Sequence, residues 1–374
     1  MTDINRKRLF LLSDANTAHT ERWAVALAQR GYEILLFSLT VPLTPALLSI
    51  PGVRFETAGI GVDLAYSNEG SARKLLYLRA LPMIRRLARE FRPSVCHAHY
   101  ASSYGVLAML ARLPRLVVSV WGADVYNTPH RSMLHRMIVT AAIRSADIVL
   151  STSNVMRQET LRLCRREIGV VPFGIDTRRF QPRDRPQSRE LTVGTVKSLE
   201  DKYGIDVLLR AFASACERVP DPRLRLLIVG GGSRREALEK LSRDLGIEGR
   251  TVFAGRVDYA RTPEMHSALD IAVFPSVEDS ESFGVSVIEA QACATPVIVS
   301  NVGGLPEVVL EGESAIVVPP RDVEALSNAI GKLATAPALR SAMGEAGRRH
   351  VVDNYELERC VDLLDRFYAQ LQQR

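Results

Sequence analysis

Short apolar runs alternate with amphipathic helical stretches along nearly the whole chain, and this pattern constrains the fold more than any other feature. Apolar runs at 8–12, 33–39, 95–98, 116–120, 148–152 and 169–171 have the length of strands. Helical periodicity fills much of the space between, at 20–30, 72–89, 103–111 and 133–145. Strands that are apolar throughout are buried on both faces, and helices between them supply the cover, so the pattern predicts parallel sheets with helices on both sides.

Residues 180–190 (FQPRDRPQSRE) interrupt the alternation with two prolines, many charges and almost nothing apolar, as a linker does. The alternation then restarts. Strands are expected at 191–196, 225–229, 251–254, 271–274 and 296–299, with helices at 205–217, 233–245 and 285–293. A chain of 374 residues suits two such domains better than one core. The expected fold is therefore α/β, with two tandem Rossmann-like, doubly wound parallel-sheet domains facing a cleft. The first covers 1–182 and the second 183–355, and a helix over 356–374 returns to pack on the first. In doubly wound sheets ligands sit at the carboxyl ends of the strands.

Charge divides along the same line. Residues 1–186 hold 26 Lys and Arg against 14 Asp and Glu, and residues 187–374 hold 22 against 28. The two halves are expected to meet different partners. The five cysteines lie far apart without a C-x-x-C pair, so neither a zinc site nor a disulfide framework is expected. The start of the chain is polar and basic, and no stretch nears the roughly 20 apolar residues of a membrane span. A cytoplasmic protein is the simplest expectation.

Two segments carry the most chemistry. In Glu281-Ser282-Phe283-Gly284-Val285, continuing to Glu289, a glycine stands where a helix begins and two glutamates lie eight apart. Helix starts offer unbonded N–H groups to phosphate, and a carboxylate nearby can accept sugar hydroxyls. The plainer alternative, a capped helix with solvated glutamates, suits Glu289 poorly because Ile288 and Ala290 flank it. The second segment runs from Val193 to Gly204 and sets Lys197 and Lys202 on a strand-to-helix loop. Two such lysines can neutralise a diphosphate leaving group without a metal, or can simply be solvated.

With these segments the chain resembles the retaining nucleotide-sugar glycosyltransferases of GT-B fold, family-four type, over nearly its full length. The G-R-L-x-x-x-K-G segment of that family corresponds to Gly194–Gly204, and its E-x-F-G-(x4)-E-A signature to Glu281, Phe283, Gly284, Glu289 and Ala290. Further landmarks are Val171-Pro-Phe-Gly174-Ile-Asp176 with Phe180, Val229 through Gly232, Val252 through Gly255, Asp270 with Pro275-Ser276, and Gly303-Gly304-Leu-Pro306-Glu307. The resemblance implies that the second domain binds a nucleoside-diphosphate-sugar donor, UDP- or GDP-linked. Lys197 and Lys202 would hold the diphosphate as it leaves, and Glu289 would accept the ribose hydroxyls. Arg256 and Val257 would lie near the base. Glu281, Ser282, Phe283, Gly284 and Val285 would address the transferred sugar and the phosphates. Lys197 stands where Arg is usual and loses its planar fork.

In the first domain, the resemblance assigns His99 of Cys96-His97-Ala98-His99 to the sugar's reacting centre. Trp121 replaces the usual His of an H-G-x-D element, while Asp124 is retained and can bind a hydroxyl. The loop Ser13–Thr20 lacks the glycines common in relatives, so side chains such as Asn16 and His19 line that edge, although helix capping by Thr17 or Thr20 explains part of it. A basic amphipathic stretch over 73–92 fits either an anionic membrane surface or an ordinary solvated helix face.

The expected activity is retaining transfer of a sugar to a hydroxyl of an acceptor, lipid-linked or otherwise, in glycolipid, cell-surface polysaccharide or other glycoconjugate synthesis. Catalytic roles fall to His99, Lys202 and Glu281. No cofactor or metal is expected, since no D-x-D triplet occurs. The resemblance favours front-face attack, with the departing phosphate helping to deprotonate the acceptor. The protein would be cytoplasmic or peripheral on the inner face of the cell membrane. Alternatives are a phosphorylase-like GT-B enzyme and a non-catalytic sugar-nucleotide-binding protein. A dinucleotide oxidoreductase is disfavoured because no G-x-G-x-x-G follows the first strand, and nucleic-acid binding because aromatics are sparse and no motif supports it.

Overall fold

The computed structural model describes residues 7–43, 45–61, 72–183, 190–219, 221 and 223–372. The chain forms two compact units, Met1–Phe173 with Glu358–Arg374, and Gly174–Leu357. Among the described residues, each unit is a parallel sheet wound on both faces by helices.

The first sheet holds β1 (Arg8–Leu12), β2 (Glu33–Thr40), β3 (Val53–Ile60), β4 (Val95–His99), β5 (Leu116–Ser119), β6 (Ile148–Ser151) and β7 (Gly169–Val170). Their order is β3-β2-β1-β4-β5-β6-β7, all parallel. In β1, Leu9 pairs with Ile34 on one side and Val95 on the other, and Leu9 to Leu12 are at most 1% exposed. The order reverses direction between β1 and β4, so the loops leaving these two strands diverge and open a crevice.

The second sheet holds β8 (Leu191–Val196), β9 (Leu224–Val229), β10 (Thr251–Gly255), β11 (Ile271–Phe274), β12 (Val297–Ser300) and β13 (Ala315–Val318). Its order is β10-β9-β8-β11-β12-β13, with the reversal between β8 and β11. Helix Ile205–Arg218 buries Leu208, Leu209, Ala211 and Phe212, and helix Val323–Thr335 buries Leu326, Ile330 and Leu333. Both join one apolar core with Val193, Leu226 and Val273.

Sequence periodicity missed β3 and β13. β3 is an edge strand, half-buried along its length, with Arg54, Glu56 and Thr57 in place of an apolar run. β13 is four residues long. The helical pattern over 72–89 divides into a 3₁₀ stretch, Ala72–Ala80, and helix Leu81–Phe91, which carries Pro82 in its first turn, where proline is tolerated. The pattern over 103–111 begins with a π-helical turn, Tyr100–Gly105.

The chain passes between units at Phe173/Gly174 and Leu357/Glu358, where the linker reading set 182/183 and 355/356. Ile175 and Phe180 are apolar, and they are buried as part of the second unit. Ile175 also donates its N–H to the Tyr355 carbonyl at 2.8 Å. Of the Pro- and charge-rich stretch, 184–189 lies outside the described residues.

Helix Leu357–Gln372 packs within the first unit. Arg30 on helix Ala18–Gln29's C-cap pairs with Asp362 at 2.6 Å and Glu358 at 2.7 Å, and Tyr32 donates to Asp365. Tyr368 is fully buried beneath β4. By these bounds the first unit holds 25 Lys and Arg against 15 Asp and Glu, and the second 23 against 27.

Candidate functional site

In the second unit, the loops leaving β8 and β11 frame the crevice. Lys197 follows β8 directly, and its Nζ lies 3.0 Å from Oε2 of Glu281, on the loop after β11. Both side chains are nearly buried, at 13% and 11% exposure. Burial alone would lower the Lys197 pKa, but the Glu281 carboxylate outweighs it and holds the ammonium above its ordinary value. The Lys197 ammonium also lies 4.5 Å from the centroid of the Tyr203 ring, and that of Lys202 lies 4.8 Å from the same centroid. The loop therefore brings both predicted lysines to one aromatic ring. Val277 N–H donates to the Lys202 carbonyl at 2.9 Å, tying the lysine loop to the exit of β11.

Backbone close to backbone holds this geometry. At Gly230, φ is +147°, and a Cβ there would stand 1.9 Å from the Lys197 carbonyl oxygen. At Gly303, φ is +51°, and a Cβ would stand 2.2 Å from the Glu281 carbonyl oxygen. Only glycine fits these two positions, so the Gly230–Gly232 and Gly303–Gly304 turns press the Lys197 and Glu281 segments into place.

Gly284 caps helix Val285–Ala292 with φ +93°, and Phe283 is buried with its ring 5.7 Å from that of Tyr355. Ser282 and Val285 are half-buried beside the cap. Glu289, further along the same helix, is 3% exposed. Tyr259 donates its hydroxyl to Glu289 Oε1 at 3.0 Å, and His266 Nε2 lies 3.3 Å from Oε2. Sequence reading identified neither partner. Arg179 stacks over Tyr259, 4.4 Å from the ring centroid. Arg256 is exposed and Val257 half-buried on the loop after β10, with Arg256 Cβ within 3.5 Å of where a Gly231 side chain would begin.

The crevice of the first unit has a different chemistry. His99 ends β4, 3% exposed, and its Nδ1 shares a 2.8 Å hydrogen bond with Ser13 Oγ, the residue after β1. Ser13 Oγ continues to Thr20 Oγ1 at 2.7 Å, and Thr17 caps the helix by accepting from Thr20 N–H. The His99 ring lies 4.1 Å from that of Trp121. His19 stacks on Phe173 at 4.1 Å and meets Trp121 edge-on at 5.9 Å. Burial pushes the His99 pKa well down, helped by His97 and His19, and burial followed by Arg22 lowers that of His19. Both imidazoles are therefore neutral near pH 7.

His97, two residues before His99, is locked on both ring nitrogens, to Tyr368 at 2.6 Å and Ser119 at 2.7 Å. Burial lowers its pKa to about 3. Between the two histidines and Trp121 lies a cavity of about 20 Å³, room for one water.

Asn16 and Asp124 differ from expectation. Asn16 donates to Thr40 Oγ1 and the Val41 carbonyl, both at 3.1 Å, and accepts from Leu43 N–H at 2.7 Å, so its amide fastens the loop after β2. Asp124 is fully buried and accepts N–H bonds from Ala101, Trp121 and Gly122 at 2.8, 3.1 and 2.9 Å. Burial raises its pKa to about 6 against the pull of those bonds. No oxygen of Asp124 is exposed to an acceptor; it ties the loops leaving β4 and β5 together.

Comparison with known proteins identifies the family. Residues 176–350 match the glycosyl transferases group 1 family, and residues 8–153 match the glycosyl transferase 4-like family. The chain is 30% identical over 387 residues to D-inositol 3-phosphate glycosyltransferase of Rhodococcus erythropolis, covering 93% of this chain and 84% of the relative. It is 33% identical over 272 residues to the GDP-mannose-dependent alpha-(1-6)-phosphatidylinositol monomannoside mannosyltransferase of Mycolicibacterium smegmatis, covering 67% and 69%. The crystal structure of Anabaena HepE in complex with UDP superposes with a TM-score of 0.78 at 20% identity, covering 98% of this chain and all of that one. The chain belongs to the group 1, 4-like glycosyltransferases and has their GT-B fold.

Proposed function

We propose that this glycosyltransferase moves a sugar, with retention, from a nucleoside-diphosphate donor to an acceptor hydroxyl without a metal. The Lys197–Glu281 pair at the crevice of the second sheet carries the reading. A nearly buried lysine held charged chiefly by the Glu281 carboxylate, with Lys202 on the same tyrosine ring, suits a diphosphate whose charge grows as it leaves. Glu281 keeps Lys197 charged and oriented, and exchanges partners with the sugar when the phosphates arrive. The N-terminus of helix Val285–Ala292 adds N–H groups to the phosphates. Glu289, already a hydrogen-bond acceptor for Tyr259, has the chemistry to take ribose hydroxyls. Ser13 orients the imidazole of His99, which as a neutral ring can accept or donate at the reacting sugar.

The GDP-mannose donor of the mycobacterial relative and the UDP bound to the Anabaena protein support a nucleoside diphosphate, and the inositol-bearing names of the relatives support a polyol or glycolipid acceptor. Attack on the donor's front face, with the departing phosphate taking the acceptor proton, needs no protein nucleophile. The test is release of UDP or GDP from a panel of nucleotide sugars, with and without inositol phosphates and phosphatidylinositol-type acceptors, in the presence of a chelator. Acceptor-dependent release unaffected by chelator is expected, with loss in Lys202→Ala and Glu281→Ala. Tight donor binding without any transfer favours the non-catalytic binding reading, and near-normal turnover of either variant sinks the site assignment.

A further inference from the structure

Helix Met133–Ser145 carries two apolar faces, and the fold uses only one. Val139, Ala142 and Ile143 are buried in the first unit. On the opposite side Met133, Leu134, Met137 and Ile138 are 75%, 63%, 62% and 39% exposed. Their i, i+1, i+4, i+5 spacing lines them up as one stripe along the first turns. Single exposed apolar residues are ordinary, whereas a contiguous stripe of four large ones marks a surface that meets an apolar phase.

The rim of this stripe is cationic. Arg136 and Arg144 are exposed on the same helix, Arg131 is exposed just before it, and residues 125–146 contain no Asp or Glu. An open groove lined by Met133, Arg136, Met137, Arg144 and Leu163 runs along the helix. Arg144 also borders a second groove with Arg162 and Arg165. Glu159 neutralises Arg162 at 2.5 Å, while Arg136 donates to the Arg162 carbonyl at 3.1 Å and keeps its charge.

We propose that this face seats the first unit on an anionic bilayer. Met133, Leu134, Met137 and Ile138 enter the boundary between headgroups and acyl chains, while Arg131, Arg136, Arg144 and Arg165 meet lipid phosphates. A second copy of the chain fits the face poorly, because pairing it with itself brings arginines against arginines. The basic stretch 73–92 is a weaker candidate than its sequence implies. Helix Leu81–Phe91 spends its apolar side on the core through Ile84, Leu87 and Phe91 and offers solvent mainly its arginines. The side chains of 72–75 lie outside the described residues. The proposal stands apart from the sugar-transfer reading, since it concerns binding to lipid with no donor present.

The experiment is co-sedimentation of the full chain with phosphatidylcholine vesicles, with and without phosphatidylglycerol, across a salt series. Binding is expected only with phosphatidylglycerol and should weaken as salt rises. Leu134→Ser with Met137→Ser should weaken it about ten-fold or more, through loss of buried apolar area. Arg136→Gln with Arg144→Gln should weaken it and flatten the salt dependence. Arg85→Gln with Arg86→Gln, on the other helix, should change it less than about two-fold. Unchanged circular dichroism melts show that the variants fold. Three results overturn the proposal: no binding at low salt, equal binding by Leu134→Ser/Met137→Ser, or concentration-dependent self-association that this variant abolishes while vesicles are ignored.

Discussion

The two crevices differ in a way that reverses the charge of the units bearing them. The first unit is basic overall, yet its crevice is neutral: His99, His19, Trp121 and Phe173 stack there, with Ser13 and Thr20 as the hydrogen-bonding floor. The second unit is acidic overall, yet its crevice presents Lys197, paired with Glu281, and Lys202 on one tyrosine ring. Net charge sums groups spread over a surface and screened by solvent, whereas a site depends on a few side chains in a poorly hydrated crevice. The surplus arginines of the first unit lie elsewhere, several of them on exposed helix faces.

The sharpest way to break this contrast is at Lys197. Lys197→Met removes the charge from the second crevice and should lower turnover by about 10²- to 10³-fold, with Lys197→Arg retaining much more. Because the pair is nearly buried, Glu281 left alone also costs stability, so Lys197→Met/Glu281→Gln serves as a folded control. Turnover of Lys197→Met within about ten-fold of the parent would remove the charged crevice from the mechanism.

A smaller effect separates the two neighbouring histidines. His99→Gln should lower turnover by about 10²-fold. His97→Phe should instead leave Tyr368 and Ser119 unpartnered and cost about 2 kcal/mol of stability, read as a lowered melting temperature. Activity per folded molecule should then stay near that of the parent. The opposite pattern would move the working imidazole from His99 to His97.

The last contrast is in acid stability. His19, His97 and His99 are neutral in the fold, so the unfolded chain binds more protons than the folded one from about pH 6.5 downward, and stability falls with acid. Asp124 acts oppositely. Its pKa, raised to about 6, lets the fold take up a proton first and gain stability between about pH 6 and 4. Three losses against one gain leave the first unit weakening by up to about 2.7 kcal/mol per pH unit between about pH 6 and 4. Both tryptophans, Trp23 and Trp121, belong to that unit, so fluorescence-detected urea unfolding at pH 7 and pH 5 reports it directly. Equal midpoints at the two pH values would mean that the imidazoles are already hydrated or charged at pH 7.

Much of the fold was legible in advance because buried parallel strands announce themselves as apolar runs. Strands 191–196 and 271–274 and helix 133–145 match the expected bounds. Edge strand β3 did not announce itself, since none of its residues is fully buried and they need not be apolar. Of the site, Lys197, Lys202 and Glu281 were recognisable by motif, and the structure brings the lysines to one ring and Glu281 to Lys197. Tyr259 and His266 carried no local signal, because each reaches Glu289 from a distant part of the chain. Asn16 and Asp124 looked like ligand contacts because polar loop residues at strand ends often are. Their hydrogen bonds turn out to be satisfied by backbone groups or, for one Asn16 bond, by Thr40.

By itself, the sequence determined the architecture, two parallel sheets wound by helices, and the family motifs at the strand ends. Those depend on hydrophobic periodicity and on glycine at positions no other residue tolerates, which are properties of short segments. Tertiary structure decided which polar groups remain available for chemistry. Whether a carboxylate, an amide or an imidazole is already satisfied depends on partners remote in the chain. The same holds for exposed apolar surface. The periodicity of helix Met133–Ser145 announces a helix, but only its packing reveals that one apolar face is used and the other left to solvent.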